Sequence, residues 1–326
     1  MLKTRHMNTL AESFAYVLPR RFSAAVADAA CRWAFRLFGR NHIQQTTFAI
    51  RLTLAEPKRR AQQIAQRCFG AKGRQRNNYR LMSRASEWQA ARPEFLPKVY
   101  RALADADQPL VMLTLHQGDY LAGLLAVLKL IPLEREIHII KLAEWSKIEE
   151  DAYRHFRQYG HTLVIHRLSD RPAKRIVRAL KQQAILVTFV DVPREFGTTV
   201  DVNLFDLPFQ LTSGPLAMAR LAGAQVLPLF SHYADTGERV VTAGAFIQPV
   251  LTDSSGARTK RSVPCMAQSL ASQIEANLRR HGDQWEMWPV ITNLLDTEKL
   301  AAAGLELPPR TLARLRALGV LAPNST

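Results

Sequence analysis

Acidic residues are scarce in this sequence. It holds 28 Asp and Glu against 44 Lys and Arg, a formal net charge of +16, and its isoelectric point is about 10.3. Residues 29–55 contain no acid at all. Such a surface attracts polyanions such as anionic headgroups or an acidic protein, unless the charge serves solubility alone. Charge without a recognisable nucleic-acid-binding motif gives no ground for expecting nucleic acid as a partner. Cysteine is also rare. Cys31, Cys68 and Cys265 lie far apart with no C-x-x-C pair, which excludes a disulfide framework or a cysteine zinc site and fits a reducing cytoplasm. The nine histidines form no ligand-spaced cluster, so no metal is expected. No apolar run reaches the roughly 18 residues of a spanning helix. The opening MLKTRHMNTLAESFAYVLPRRF is broken by charges and Pro19 and does not read as a secretory leader. Membrane contact is therefore expected only at the periphery.

What is present suits a folded protein: 326 residues, 47% hydrophobic and 22% charged. Residues 1–95 read as a basic helical segment. Arg32, Arg36 and Arg40 recur every fourth residue among Trp33, Phe35, Leu37 and Phe38. That spacing puts the cations on one helix face, suited either to an anionic membrane or to ordinary surface packing. Arg74–Arg92 is again basic and helical in pattern, and Pro93 and Pro97 punctuate the chain. Residues 96–326 change character. Short apolar runs at Leu110–Leu115, Ile137–Lys141, Thr162–His166, Ile185–Val190, Gln225–Phe230 and Val240–Phe246 read as strands. Helical patterns at Asp119–Leu130, Lys147–Tyr159, Pro172–Gln182 and Pro215–Leu221 lie between them. Alternation of this kind predicts an α/β domain with a largely parallel or mixed sheet flanked by helices.

The first of these strands ends in His116, followed by Gln117, Gly118, Asp119 and Tyr120. Open α/β sheets carry their chemistry at the carboxyl ends of strands. An imidazole there titrates near neutrality and can take a proton from an attacking alcohol. A carboxylate would fix its tautomer, and Asp119 is the local candidate. A His-x-x-Asp of this kind is also a common cap or surface pair. No serine or cysteine stands beside the histidine as a nucleophile. Further on, Thr212-Ser213-Gly214-Pro215 precedes a helical pattern. It reads as an N-cap, or as a set of backbone N–H groups turned toward an anion.

The blocks TLHQGDYLAG, YGHTLVIHR, ALKQQAILVTFVD, LFDLPFQLTSGPLAMARLAGAQVLPLF and DQWEMWP follow in that order. Together they resemble the lipid A lauroyl/myristoyl acyltransferase family of the lysophospholipid acyltransferase superfamily, over roughly Arg20 to Pro289. The resemblance implies an α/β core with a membrane-facing N-terminal part. It also implies acyl transfer from an acyl carrier protein or coenzyme A thioester to a hydroxyl of a lipid, with no further cofactor. The family's essential histidine matches His116. Its basic residue after the third strand matches Arg167, and the aspartate closing the fourth strand matches Asp191. The G-x-x-x-x-A-R-x-x-G-A-x-V-x-P block begins at Gly214.

The departures fall near the site. The family's acid, five residues after the histidine, is replaced by Leu121, which leaves Asp119 as the substitute. The family's D-Q-D reads Asp191-Val192-Pro193, and Trp288 runs into Pro289-Val290-Ile291-Thr292 rather than a basic stretch. These losses widen the acceptor to a lipid, a glycolipid or a small specialised metabolite bearing a hydroxyl or an amine. The expected site is His116 with Asp119 as catalytic pair, and Gly118, Arg167, Asp191, Ser213 and Gly214 toward substrate. Expected partners are an acyl carrier protein and an anionic membrane surface, for a cytoplasmic protein peripheral to the inner membrane. The alternative is a protein of the same fold that has lost the chemistry and binds an acyl chain or a carrier protein.

Overall fold

The computed structural model describes residues 29, 33, 40–82, 89–141, 147–192, 197–252, 258–294 and 309–320. Arg32 and Arg36 lie outside them, as does the side chain of Arg40, so the basic face expected there is not described. Contacts divide the chain into two units: Ser86–Val202 with Gln210–Ile274, and Met1–Ala85 with Asn203–Phe209 and Glu275–Thr326.

The larger unit is built on a seven-stranded sheet, mostly parallel, as the alternating pattern predicts. Its strands are β1 (Arg92–Glu94), β2 (Leu110–Thr114), β3 (Ile137–Lys141), β4 (Leu163–Arg167), β5 (Ile185–Phe189), β8 (Gln225–Tyr233) and β9 (Arg239–Ala243). They lie in the order β1-β9-β8-β2-β5-β3-β4. The five from β8 to β4 are parallel, and β9 turns back antiparallel to β8. β2 reads LVMLT and β5 reads ILVTF, with four of five residues buried in each. Near-continuous apolar runs of this kind belong to central strands covered on both faces.

Helices α3 (Pro97–Ala104), α4 (Tyr120–Leu128), α5 (Lys147–Gln158), α6 (Ala173–Lys181) and α7 (Gly214–Ala222) connect and cover the strands. α6 is sharply two-sided: Ile176, Ala179 and Leu180 are buried, while Lys174, Arg175 and Lys181 face solvent. The period-3.6 stripe is what the sequence shows there. Between β5 and α7 the strands β6 (Thr199–Leu204) and β7 (Leu207–Thr212) pair with each other. A short pair, β10 (Val250–Thr252) and β11 (Arg258–Lys260), follows β9, and α8 (Val263–His281) follows that pair.

The smaller unit holds α1 (Arg40–Leu54), α2 (Lys58–Met82), the turn joining β6 to β7, the last turns of α8 and helix α9 (Pro309–Ala317). α2 buries Ala61, Ile64, Ala65, Cys68 and Phe69, the i, i+3, i+4, i+7 stripe of an amphipathic helix. Trp288 is fully buried beside Trp285, with ring centroids 4.8 Å apart at 81°. Its indole N–H donates to the Gly282 carbonyl at 2.6 Å, which satisfies the polar edge that burial would otherwise leave unpaired. Among the described residues, no helix is long and apolar enough to cross a membrane.

Candidate active site

The order of the strands creates the site. From β2 the chain crosses over β5's position to β3, and from β5 it returns past β2 to β8. Connections leaving two neighbouring strands in opposite directions open a crevice at their carboxyl ends. β2 and β5 pair in register, with Thr114 opposite Phe189. Two residues further along each strand stand His116 and Asp191.

Asp191 is buried, with its side chain 3% exposed, whereas the His116 ring is 28% exposed. Asp191 Oδ1 lies 2.8 Å from His116 Nδ1, and Oδ2 accepts the His116 backbone N–H at 2.7 Å. One carboxylate thus clamps both the ring and the main chain. Facing an acceptor, Nδ1 carries the hydrogen, which makes Nε2 the basic nitrogen. Phe189 stacks under the imidazole at 4.0 Å and 16°, and the Tyr120 ring meets it edge-on at 5.8 Å. Rotation of the imidazole is therefore opposed on several sides.

The expected partner, Asp119, is elsewhere engaged. It is the N-cap of α4, its Oδ1 accepting the Ala122 N–H at 3.1 Å, and its Oδ2 lies 3.7 Å from Arg239 Nη1. Gly118 has φ +55°, and a Cβ there would meet the Ser231 carbonyl oxygen at 2.5 Å and His232 Cα at 2.7 Å. The turn after His116 thus presses its backbone against β8, which only glycine allows.

His116 lines a cavity of about 420 Å³ in the larger unit. Its walls are mainly apolar, with Phe189, Val192, Leu168, Pro215 and Met218 among them. Cations reach it from Lys141 and Arg171, and hydroxyls from Thr188, Thr198 and Thr212. Lys141 is buried and ion-paired with Glu149, which also lines the cavity. Arg167, the expected cation, is exposed at the end of the edge strand β4 and is not among the lining residues. The 3₁₀ turn Leu168–Asp170 brings Arg171 to the wall, in the left-handed conformation at φ 49°.

Gly214 lines the cavity at the first turn of α7, and a side chain there would meet nothing within 4 Å. Ser213, the N-cap, makes no side-chain cap bond. Its hydroxyl turns back to the Thr198 carbonyl at 3.0 Å and ties the β6 approach to the helix start. The cavity therefore combines an oriented imidazole, a helix N-terminus that favours negative charge and an apolar wall. Volume and lining suit one flexible apolar ligand with a polar reacting end.

Residues 155–289 match the model of the bacterial lipid A biosynthesis acyltransferase family. That stretch contains Arg167, Asp191, Ser213 and Gly214, whereas His116 precedes it. No curated protein matches the chain. This match, over the part of the α/β unit that supplies Asp191 and the α7 turn, supports a lipid A acyltransferase-like family and, with it, an acyltransferase enzyme.

Proposed function

We infer that His116 is the general base of a direct acyl transfer from a thioester to a hydroxyl or amine, with Asp191 rather than Asp119 as its partner. The observation that carries this is the Asp191 carboxylate 2.8 Å from His116 Nδ1. The acceptor's O–H or N–H gives its proton to Nε2 as its oxygen or nitrogen attacks the thioester carbon. The tetrahedral oxyanion is stabilised by backbone N–H groups in the first turn of α7, where Gly214 lines the cavity. Collapse breaks the C–S bond, and the imidazolium returns the proton to the departing thiolate. Asp191 steadies the imidazolium between these steps without taking the proton. The apolar wall of Phe189, Leu168 and Met218 receives the acyl chain. An acyl carrier protein or coenzyme A presents the thioester. An acidic carrier protein and an anionic membrane both suit a chain of net charge +16, at the cytoplasmic face of the membrane.

A binding protein with the chemistry lost would need no buried carboxylate against the ring, so the paired imidazole favours the enzyme. The test is consumption of a long-chain acyl-carrier thioester with a lipid acceptor. His116→Ala abolishes transfer while the melting temperature stays within a degree or two of the parent's. Parental turnover in that variant would remove His116 from the mechanism.

A further inference from the structure

We propose that the smaller unit carries an arginine-lined phosphomonoester site, separate from the acyl-transfer chemistry. Its cavity, about 470 Å³, is lined by Arg51 from α1, Arg279 from α8, and Arg310 and Arg314 from α9. The acids on its wall are Glu56 and Asp206. Four guanidinium groups face two carboxylates, in one concave place.

The arginines are held differently. Arg314 is half-buried and pinned by two backbone carbonyls, Nη1 donating to Thr53 at 3.3 Å and Nη2 to Phe205 at 3.2 Å. Carbonyls orient a guanidinium without neutralising it. Burial lowers its pKa, and Arg279 and Arg310 push the same way against Asp206. Arg279 is spent on Glu275, at 2.7 and 2.9 Å from Oε1, and lies 5.5 Å over the Phe205 ring. Arg310 reaches Asp206 at 2.8 Å. Arg51 is half-buried with no ion-pair partner among the described residues. Two cations, Arg51 and Arg314, thus lack a carboxylate of their own.

Convergent cations repel one another, and solubility would be served as well by spreading them over a convex surface. Planar forks from separate helices match the tetrahedral oxygens of a phosphate, which arginine engages in bidentate fashion. A phosphomonoester carries close to two negative charges at neutral pH, which answers the two cations without a carboxylate. A carboxylate ligand would answer one.

The phosphomonoester has two possible sources, a free phosphate compound or a lipid headgroup, and the experiment separates them. The full-length protein is titrated with inorganic phosphate by calorimetry at fixed ionic strength. In parallel it is floated with phosphatidylcholine vesicles carrying phosphatidic acid, a monoester, or phosphatidylglycerol, a diester, at matched surface charge. Arg51→Gln and the exposed Arg310→Gln are compared with the parent and with Arg154→Gln on α5, a surface control 63% exposed. Melting curves establish that each is folded.

Saturable phosphate binding, weakened at least tenfold by Arg51→Gln or Arg310→Gln and unchanged by Arg154→Gln, supports a free phosphate ligand. A preference for phosphatidic acid over phosphatidylglycerol, lost in the same variants, supports the headgroup. Absence of both, or binding equal in parent and both pocket variants, overturns the proposal. Acyl transfer does not enter the readout, so the proposal stands or falls apart from the role of His116.

Discussion

Two carboxylates flank His116 in sequence or in space, and their surroundings assign them different work. Asp191 meets both Nδ1 and the backbone N–H of His116. Asp191→Asn keeps the shape and loses the charge that steadies the imidazolium. Turnover is expected to fall about a hundredfold or more, within the general-base range, with donor KM little changed. Asp119 caps α4 and faces Arg239. Asp119→Ala is expected to cost about 1 kcal/mol of stability through the lost cap, while Asp119→Asn, whose amide still caps, keeps turnover close to the parent's. Steady-state kinetics and urea denaturation of these variants separate the two roles, and a large loss of turnover in Asp119→Asn would reverse the assignment. Gly118→Ala is expected to be worse than either for folding. Its Cβ would meet backbone at 2.5 Å from a residue held at φ +55°, an overpacking cost of about 3 kcal/mol. A melting temperature unchanged in Gly118→Ala would refute the close approach to β8.

Elements explain why one carboxylate was legible in the sequence and the other only in part. The strands now numbered β2 and β5 are both visible as apolar runs, and both His116 and Asp191 are visible as residues just past strand ends. Their adjacency is set by strand order, which pairs residues 75 apart and leaves no trace in local periodicity. Asp119 is chosen by closeness in sequence, at the start of the helical pattern read over Asp119–Leu130. The helix begins at Tyr120, with Asp119 as its N-cap. An aspartate directly before YLAGLLAVL is an N-cap signature, and that signal was present. The pair β6 and β7 was hidden because its turn is Phe205-Asp206, both at positive φ, where Asn-Gly would have announced a hairpin. The turn between α1 and α2 has the same character. Ala55 sits at φ 60° directly after the last residue of α1, the place glycine usually takes. Ala55→Gly is expected to stabilise the fold by about 0.5–1 kcal/mol, the relief of left-handed strain exceeding the added entropy of the unfolded chain. A lower urea midpoint in this variant would show that the strain is not there.

At the scale of the whole molecule, charge and buried imidazoles govern the response to solution conditions. The excess of 44 basic over 28 acidic residues is legible at once, and it makes association with acidic partners sensitive to salt, since exposed charges are screened beyond about 10 Å at 0.1 M. Which concave surface gathers that charge is not legible, because Arg51, Arg279, Arg310 and Arg314 come from three helices far apart in sequence. The pH response follows from three histidines, His42, His161 and His166, each pushed below the ordinary value of 6.5 chiefly by burial. For His166 the neighbours His138 and Arg175 act in the same direction and Asp170 opposes them. His138 Nδ1 lies 2.8 Å from His166 Nε2, with Glu136 on its far side at 3.2 Å. Between the depressed folded pKa and 6.5 the unfolded chain binds a proton that the folded chain refuses. Stability is therefore full above about pH 6.5 and falls as the pH drops through that window. Asp283 works in the opposite sense. Burial raises its carboxyl, so acidification through the carboxylate range favours the folded state at that one group. His166→Gln isolates the histidine contribution, since a neutral amide cannot titrate. Urea unfolding between pH 8 and pH 5 is expected to show a midpoint that declines below 6.5 in the parent and declines less in His166→Gln. A parent whose midpoint holds constant or rises over that range would mean that these imidazoles take up protons in the folded protein as readily as in the unfolded chain.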